Sequence, residues 1–182
     1  MAHPSHQAKR GAQAPLEPLI DKELAMAERV KPYKSGINYW LFATDPDEYS
    51  YQHLERDTAT VWDEVTDYAS LKHLRDVETD EEVLIFHTGT EMAIVGIARV
   101  TSDPYPNPQG TSPDETVVDL VPERRLERPV MLAEFEDLPE LQDWDLVTNP
   151  DLTVVPVTPE IWNRLLELSQ APLVYSTQED QE

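Results

Sequence analysis

The sequence predicts an α+β fold, a mixed β-barrel of about five to six short strands with short flanking helices. Three observations carry this. Runs rich in β-branched and aromatic residues recur along the chain, each ended by Pro, Gly or Asp. The stretches with helical spacing between them are short. Strand and helix do not alternate regularly, which argues against a doubly wound parallel sheet.

The elements follow in order. Residues 1–15 are polar and punctuated by Pro and Gly, and are expected to be disordered. Leu19, Ile20, Leu24, Ala27 and Val30 keep helical spacing, so a helix is expected over 18–30. The aromatic-rich run Ile37 to Thr44 predicts the first strand. Asp45-Pro46 is a helix-start signal, predicting a short helix through Leu54. Thr60 to Trp62 is a brief extended piece, and Asp67 is placed to cap a helix from Tyr68 to about Arg75. Glu82 to Phe86 and Met92 to Val100 form the clearest hairpin, joined by His87-Thr88-Gly89-Thr90-Glu91.

A loop dense in proline follows, from Ser102 to Asp114, and then a strand from Thr116 to Pro122. Arg128-Pro129 is expected to break the chain before a short helix around Leu132 to Phe135. Leu152 to Val157 is a late strand whose Pro156 marks an edge or a bulge. Thr158-Pro159-Glu160 opens a final helix to Leu168. Three regions result: an N-terminal extension over 1–34, a folded domain over 35–170 and an acidic flexible tail over 171–182.

Composition bounds the function. The 182 residues carry 36 acidic and 14 Lys or Arg side chains, a formal net charge of −22. Residues 1–34 hold +2 and the tail −3, so the segment 35–170 holds −21, with Lys72 its only lysine. At ordinary salt such a chain repels nucleic acid and anionic membranes. The scarcity of lysine fits better with work in molar salt, where the Debye length falls to about 3 Å and self-repulsion is screened. With no cysteine, disulfides, thiolate zinc sites and a cysteine nucleophile are excluded. The start of the chain has no secretory pattern, and the apolar-plus-Gly run Ala93 to Ala98 is far short of a membrane span. The expectation is a soluble, cytoplasmic monomer that needs no cofactor.

Enzyme signatures fail one by one. The glycines Gly11, Gly36, Gly89, Gly96 and Gly110 are too scattered for a phosphate-cradling loop. Neither a Gly-x-Ser-x-Gly elbow nor a His-Glu-x-x-His helix occurs. His3 and His6 lie in the polar N-terminal stretch, and His53 and His73 lie in helical segments. His87 differs, because it ends a strand and enters a turn. Acidic neighbours such as Asp45 and Asp47 are chance adjacency in a chain with 36 acids.

The aromatic residues are the informative ones. Tyr39, Trp40, Phe42, Trp62 and Tyr68 cluster, and Tyr105 lies in the proline-rich loop. Trp40 and Phe42 share one strand face and read as core. Trp62 stands where a strand gives way to the polar run Asp63, Glu64, Thr66, Asp67. An aromatic face beside hydrogen-bonding side chains suits a flat ligand.

Tyr39 to Phe42, then Pro46 to Ser50, Val61-Trp62-Asp63, Tyr68 and Phe86-His87-Thr88 together resemble the EVE domain family, a PUA-related group that includes thymocyte nuclear protein. Ala93 to Ala98, Tyr105 to Pro108, Leu126 to Glu134 and Pro156 to Trp162 resemble its later motifs, so the likeness spans about 37–168 in order. The resemblance implies a PUA-like mixed β-barrel with a pocket for a modified nucleobase, placed similarly to the methylated-base pocket of the related YTH readers. Thr44 matches the family's serine at the end of the first strand, and Trp62 matches the tryptophan wall of the base cage. Asp63 follows it, Tyr68 matches the next motif, and His87 and Thr88 match the His-Ser pair at the hairpin. After the tryptophan the family pattern has a glycine, two arginines and two asparagines that Glu64, Thr66, Asp67 and their neighbours replace here, and a family basic position appears as Asp151. Phosphate contacts are lost with them.

The expectation is a non-catalytic module recognising a modified cytosine or adenine in DNA or RNA. Trp62 would stack, Tyr68 or Tyr105 would complete the cage, and Thr44, Asp63, His87 and Thr88 would read the base edge. Its partner is modified nucleic acid or a free nucleoside, with a nuclease or other nucleic-acid enzyme as an associate. Two alternatives stand beside it: a nucleic-acid-modifying enzyme component and a protein-interaction module.

Overall fold

The computed structural model describes residues 39–172. The expected N-terminal extension with its helix over 18–30, the first two residues of the strand expected from Ile37, and most of the acidic tail lie outside the described residues.

Seven strands form one curled mixed sheet: β1 (Tyr39–Thr44), β2 (Thr60–Trp62), β3 (Glu82–His87), β4 (Ala93–Val100), β5 (Tyr105–Pro106), β6 (Thr116–Met131) and β7 (Val154–Val157). The order is β2-β6-β4-β3-β1-β7, with β5 paired to β6. β1 runs parallel to β3 and antiparallel to β7, and the β3–β4–β6 pairings are antiparallel. The result is a half-barrel, as expected of a PUA-like chain. Helices α1 (Tyr51–Asp57), α2 (Tyr68–Leu74), α3 (Leu132–Phe135), α4 (Asp145–Thr148) and α5 (Pro159–Gln170) sit at its margins. No described helix is long and apolar enough to cross a membrane.

All six residues of β1 are buried because both faces of the sheet are covered. The two-residue strand period sends Tyr39, Leu41 and Ala43 into a core with Phe135, Trp144, Trp162 and Leu165. Trp40 and Phe42 point the other way, into a second core with Tyr51, Leu54, Trp62 and Leu74. The cap predicted at Asp67 is present, its Oδ1 accepting from Ser70 N at 2.7 Å, and Thr158 caps α5 in the same way. Pro156 lies in β7, at the sheet edge.

Two local expectations are corrected. The helix expected from Asp45-Pro46 begins only at Tyr51: Asp45 Oδ1 accepts from Asp47 N at 2.9 Å and its carbonyl from Glu48 N and Tyr49 N, which closes a turn. Ser50 is the cap that starts α1, in a reciprocal pair with His53. The chain break expected at Arg128-Pro129 is instead the late part of a single strand, Thr116–Met131. Two register shifts absorb its prolines: Ile94 pairs with Val130 and Gly96 with Arg125, so residues 126–129 bulge out and Pro129 owes no ladder donor, while Pro122 sits beside a second irregularity. These bulges are also where β6 curls.

Candidate functional site

Parallel pairing of β1 and β3 brings Thr44 opposite His87 at the carboxyl ends of the two strands. Thr88 N donates to the Thr44 carbonyl at 2.9 Å, and Thr88 Oγ1 approaches the same oxygen at 3.3 Å. His87 is 6% exposed. Its Nε2 accepts from the Tyr51 backbone N–H at 3.0 Å, which assigns the ring proton to Nδ1, donated to Glu91 Oε2 at 2.7 Å. Both ring nitrogens are thereby engaged, and His87 ties the first turn of α1 to the end of β3. A cleft of about 270 Å³ opens beside it, lined by Ser50, Gln52, His87, Glu91 and Arg125 among others. Arg125 is held by a two-pronged pair with Glu55, at 2.9 and 2.6 Å, and lies 5.7 Å from the Tyr51 ring centre. A separate apolar cavity of about 150 Å³ is lined by Ala43, Phe86, Thr88, Met92, Leu146 and Leu152 among others.

Trp62 follows from the same alternation. It ends β2, pairs with Val118 of β6 and turns into the core that holds Phe42. Its ring lies 5.6 Å from Phe42 and meets the edge of Tyr49 at 6.3 Å. It is 2% exposed. Trp40 gives its indole N–H to buried Glu81 at 2.6 Å and Trp144 to the Pro156 carbonyl at 2.9 Å. Trp62 Nε1 has no partner, and it is the only buried side-chain polar atom among the described residues in that state. A buried donor left open costs about 1–3 kcal/mol, so its persistence calls for an explanation.

Two residues further along each segment the pattern repeats with polar groups. Thr44 follows Phe42 on one face of β1, and Glu64 follows Trp62. Where Phe42 meets Trp62 as rings, Thr44 Oγ1 meets Glu64 Oε2 at 2.8 Å. Thr44 Oγ1 also lies 2.8 Å from the Tyr49 carbonyl. Burial is the largest influence on Glu64 and pushes its carboxyl above the usual carboxylate range; Asp63, Glu48 and Asp45 add to this and the Thr44 contact opposes it.

The structure therefore brings Thr44, His87 and Thr88 together and sets Trp62 one rung below Thr44. Asp63 is exposed on the segment after β2. Tyr68 is 79% exposed at the start of α2. Tyr105 gives its hydroxyl to Asp119 Oδ1 at 2.5 Å, which drives the phenol up to about 12. Asp119 alternates with Val118 and Leu120, which join the Trp62 core, so Tyr105 bonds on the other face of β6. The aromatics that pack on Trp62 are thus Phe42 and Tyr49, and neither Tyr68 nor Tyr105 is among them. Tyr49 and Glu64 are the residues that sequence reasoning missed. The alternation Phe42/Thr44 against Trp62/Glu64 is a signal for Glu64, but only once β1 and β2 are known to face each other.

Chemically, the cluster offers hydroxyls, one carboxyl, an open indole N–H and aromatic edges. Among the described residues no group of three His, Cys, Asp or Glu side chains is placed to hold a metal ion.

Comparison with known proteins places the fold. Among solved structures, Rpa0253 of Rhodopseudomonas palustris is 26% identical, with 74% of this chain and 94% of that chain covered and a TM-score of 0.69. A protein of Pseudomonas putida is 29% identical over 72% of this chain and 99% of that chain, with a TM-score of 0.66. Human THYN1, solved in complex with DNA containing 5-methylcytosine, is 22% identical over 75% of this chain and 99% of that one, at a TM-score of 0.69. No curated protein sequence matches. The family model described as the EVE domain matches residues 38–168, and the chain belongs to the EVE domain family.

Proposed function

We propose that this chain is a non-catalytic module that recognises a modified nucleobase, a modified cytosine or adenine, at the carboxyl ends of β1 and β3. The observation that carries the reading is the open indole N–H of Trp62, buried one rung below the Thr44–Glu64 pair. A flat ligand with hydrogen-bonding edges can bring an acceptor into the plane of the indole and satisfy the unpartnered donor. The complex of human THYN1 with 5-methylcytosine DNA supports the reading, because the same fold accompanies a methylated base there.

In this reading Trp62 is reached when the Tyr49 edge swings aside. Thr44, Thr88 and Asp63 then supply edge contacts, and His87 keeps the β3 end and α1 in place. A base in a duplex must first be flipped out, at a cost of a few kcal/mol, so single strands and free nucleosides are the easier ligands. The chain works as a monomer beside a nucleic-acid enzyme that does the chemistry.

The test is intrinsic tryptophan fluorescence, titrating modified and unmodified nucleosides and short single strands at low and at molar KCl. Quenching by one modified base that survives high salt and disappears in Trp62→Phe is expected. A response only to strands, fading with salt and indifferent to Trp62→Phe, would overturn the pocket and point to phosphate contacts instead.

A further inference from the structure

Thr44 Oγ1 lies 2.8 Å from the Tyr49 carbonyl oxygen and 2.8 Å from Glu64 Oε2. A hydroxyl has one proton and cannot donate to both. Both contacts are hydrogen bonds only when Glu64 carries a proton of its own, giving its O–H to Thr44 Oγ1 while Thr44 gives its proton to Tyr49. The surroundings favour that state. Glu64 is half-buried beside Thr44 of β1, and the charges that act on it are all negative: Asp63 on its own segment, and Asp45 and Glu48 on the turn after β1. Burial first, and then these charges, raise its carboxyl above the ordinary range.

We propose that Glu64 is the specificity-determining residue of the base site, presenting a neutral carboxylic acid to a base edge that sets a ring-nitrogen acceptor beside an exocyclic amine. This rests on the modified-base reading and deepens it. Cytosine and adenine carry such an edge, and flipped bases are read along it. On binding, the Glu64 O–H leaves Thr44 for the ring nitrogen, and its carbonyl oxygen accepts from the amine. Thr44 keeps its bond to Tyr49, so one hydrogen bond is exchanged for two. An ionised Glu64 sets a carboxylate oxygen against the ring nitrogen's lone pair. A uracil-type edge sets an N–H where the Glu64 O–H points and a carbonyl where its acceptor oxygen lies, a mismatch at both places.

The experiment uses the full chain with 5-methylcytidine and 5-methyluridine as probes, by calorimetry over a pH series that runs upward from the ordinary glutamate range. For 5-methylcytidine the affinity falls by about tenfold per pH unit once Glu64 ionises. 5-Methyluridine is expected to bind more weakly at the acid end, where its N–H faces the Glu64 O–H. Glu64→Gln carries an N–H beside a C=O at every pH, so it binds 5-methylcytidine with no such fall. Glu64→Ala loses about tenfold at the acid end, the worth of one hydrogen bond. Carbon-13 spectra of the ligand-free protein are expected to show a glutamate titrating above the ordinary range and missing in Glu64→Gln.

A Glu64→Ala chain that binds as tightly as wild type, a Glu64→Gln chain that keeps the pH dependence, or a Glu64 that titrates in the ordinary range each overturns the assignment while the base-reading function stands. If neither nucleoside binds any of the three chains, that function fails and the assignment falls with it.

Discussion

Trp40 and Trp62 bury the same indole into one core and differ in what their N–H groups meet. Trp40→Phe leaves Glu81 buried without one of its donors, and the expected cost is about 2–4 kcal/mol. Trp62→Phe loses ring volume but also removes an unsatisfied donor, so the two effects offset and the change stays within about 1 kcal/mol. Urea unfolding of the two variants ranks them; equal costs would mean that the Trp62 N–H is not an energetic burden. Gly96 is a point of close packing. A Cβ there would lie 2.6 Å from the Tyr51 ring, whose hydroxyl is pinned to the Ile97 carbonyl at 2.7 Å. Burial holds that phenol up at about 12, so the donor stays intact at any working pH. Gly96→Ala should therefore destabilise by about 1–3 kcal/mol, and a midpoint unchanged in denaturant would show that the ring gives way.

Glu64 also makes a stability statement with a definite sign. Its folded carboxyl is raised above the unfolded value, so its contribution is complete at acid pH, below the unfolded pKa, and is lost as pH rises through the folded one. The difference in Tm between Glu64→Gln and wild type should then shift in favour of the variant from pH 4 to pH 8. A difference that stays constant over that span would deny the raised carboxyl. Carboxylates such as Glu134 act in the opposite sense: burial would raise it, but the Arg128 pair at 2.7 Å and the Met131 N–H outweigh burial and hold it low. Only the difference between variants isolates Glu64.

At the scale of elements, caps and bulges set where helices start and how the sheet bends. Asp67 does two jobs: Oδ1 accepts from Ser70 N, and Oδ2 accepts from Thr153 Oγ1 at 3.2 Å, beside β7. Ser70 Oγ in turn accepts from Thr153 N and Val154 N at 2.9 and 3.2 Å. The cap thus joins α2 to the edge strand. Asp67→Ala should cost about 1–2 kcal/mol, toward the upper end for a cap, and should weaken amide-exchange protection at Val154 as well as in α2. Protection lost in α2 alone would separate the cap from the strand.

Charge acts on the molecule as a whole. A net charge of −22 opposes compaction at low salt. Among the described residues the pairs Arg56–Asp57, Arg125–Glu55 and Arg164–Glu140 are surface pairs, each worth about 0–1 kcal/mol, too little to offset it. Raising KCl from about 0.05 to 1 M shrinks the Debye length from over 10 to about 3 Å, and Tm should climb by several degrees. A falling Tm would mean that the ion pairs outweigh the self-repulsion.

Much of the architecture was legible in the residues themselves. The aromatic strand at Tyr39–Thr44, the hairpin of β3 and β4, the Asp67 and Thr158 caps and the terminal helix all rest on short-range chemistry: period-two alternation, turn glycine and side-chain caps. These signals act within a few residues, and so they survive without knowledge of the fold. The run through Pro122 and Pro129 did not read as one strand, because proline is tolerated there only by register shifts against β4. The site divides along the same line. Of the proposed site, Trp62 and His87 stand out in the residues themselves and Thr44 and Thr88 through the family resemblance, while Tyr49 and Glu64 emerge only once the curled sheet sets β1 against the segment after β2. The two contacts that link Glu64, Thr44 and Tyr49 likewise depend on groups up to twenty positions apart meeting at 2.8 Å. Hydrogen bonding and desolvation depend on that meeting, and long-range packing alone brings it about.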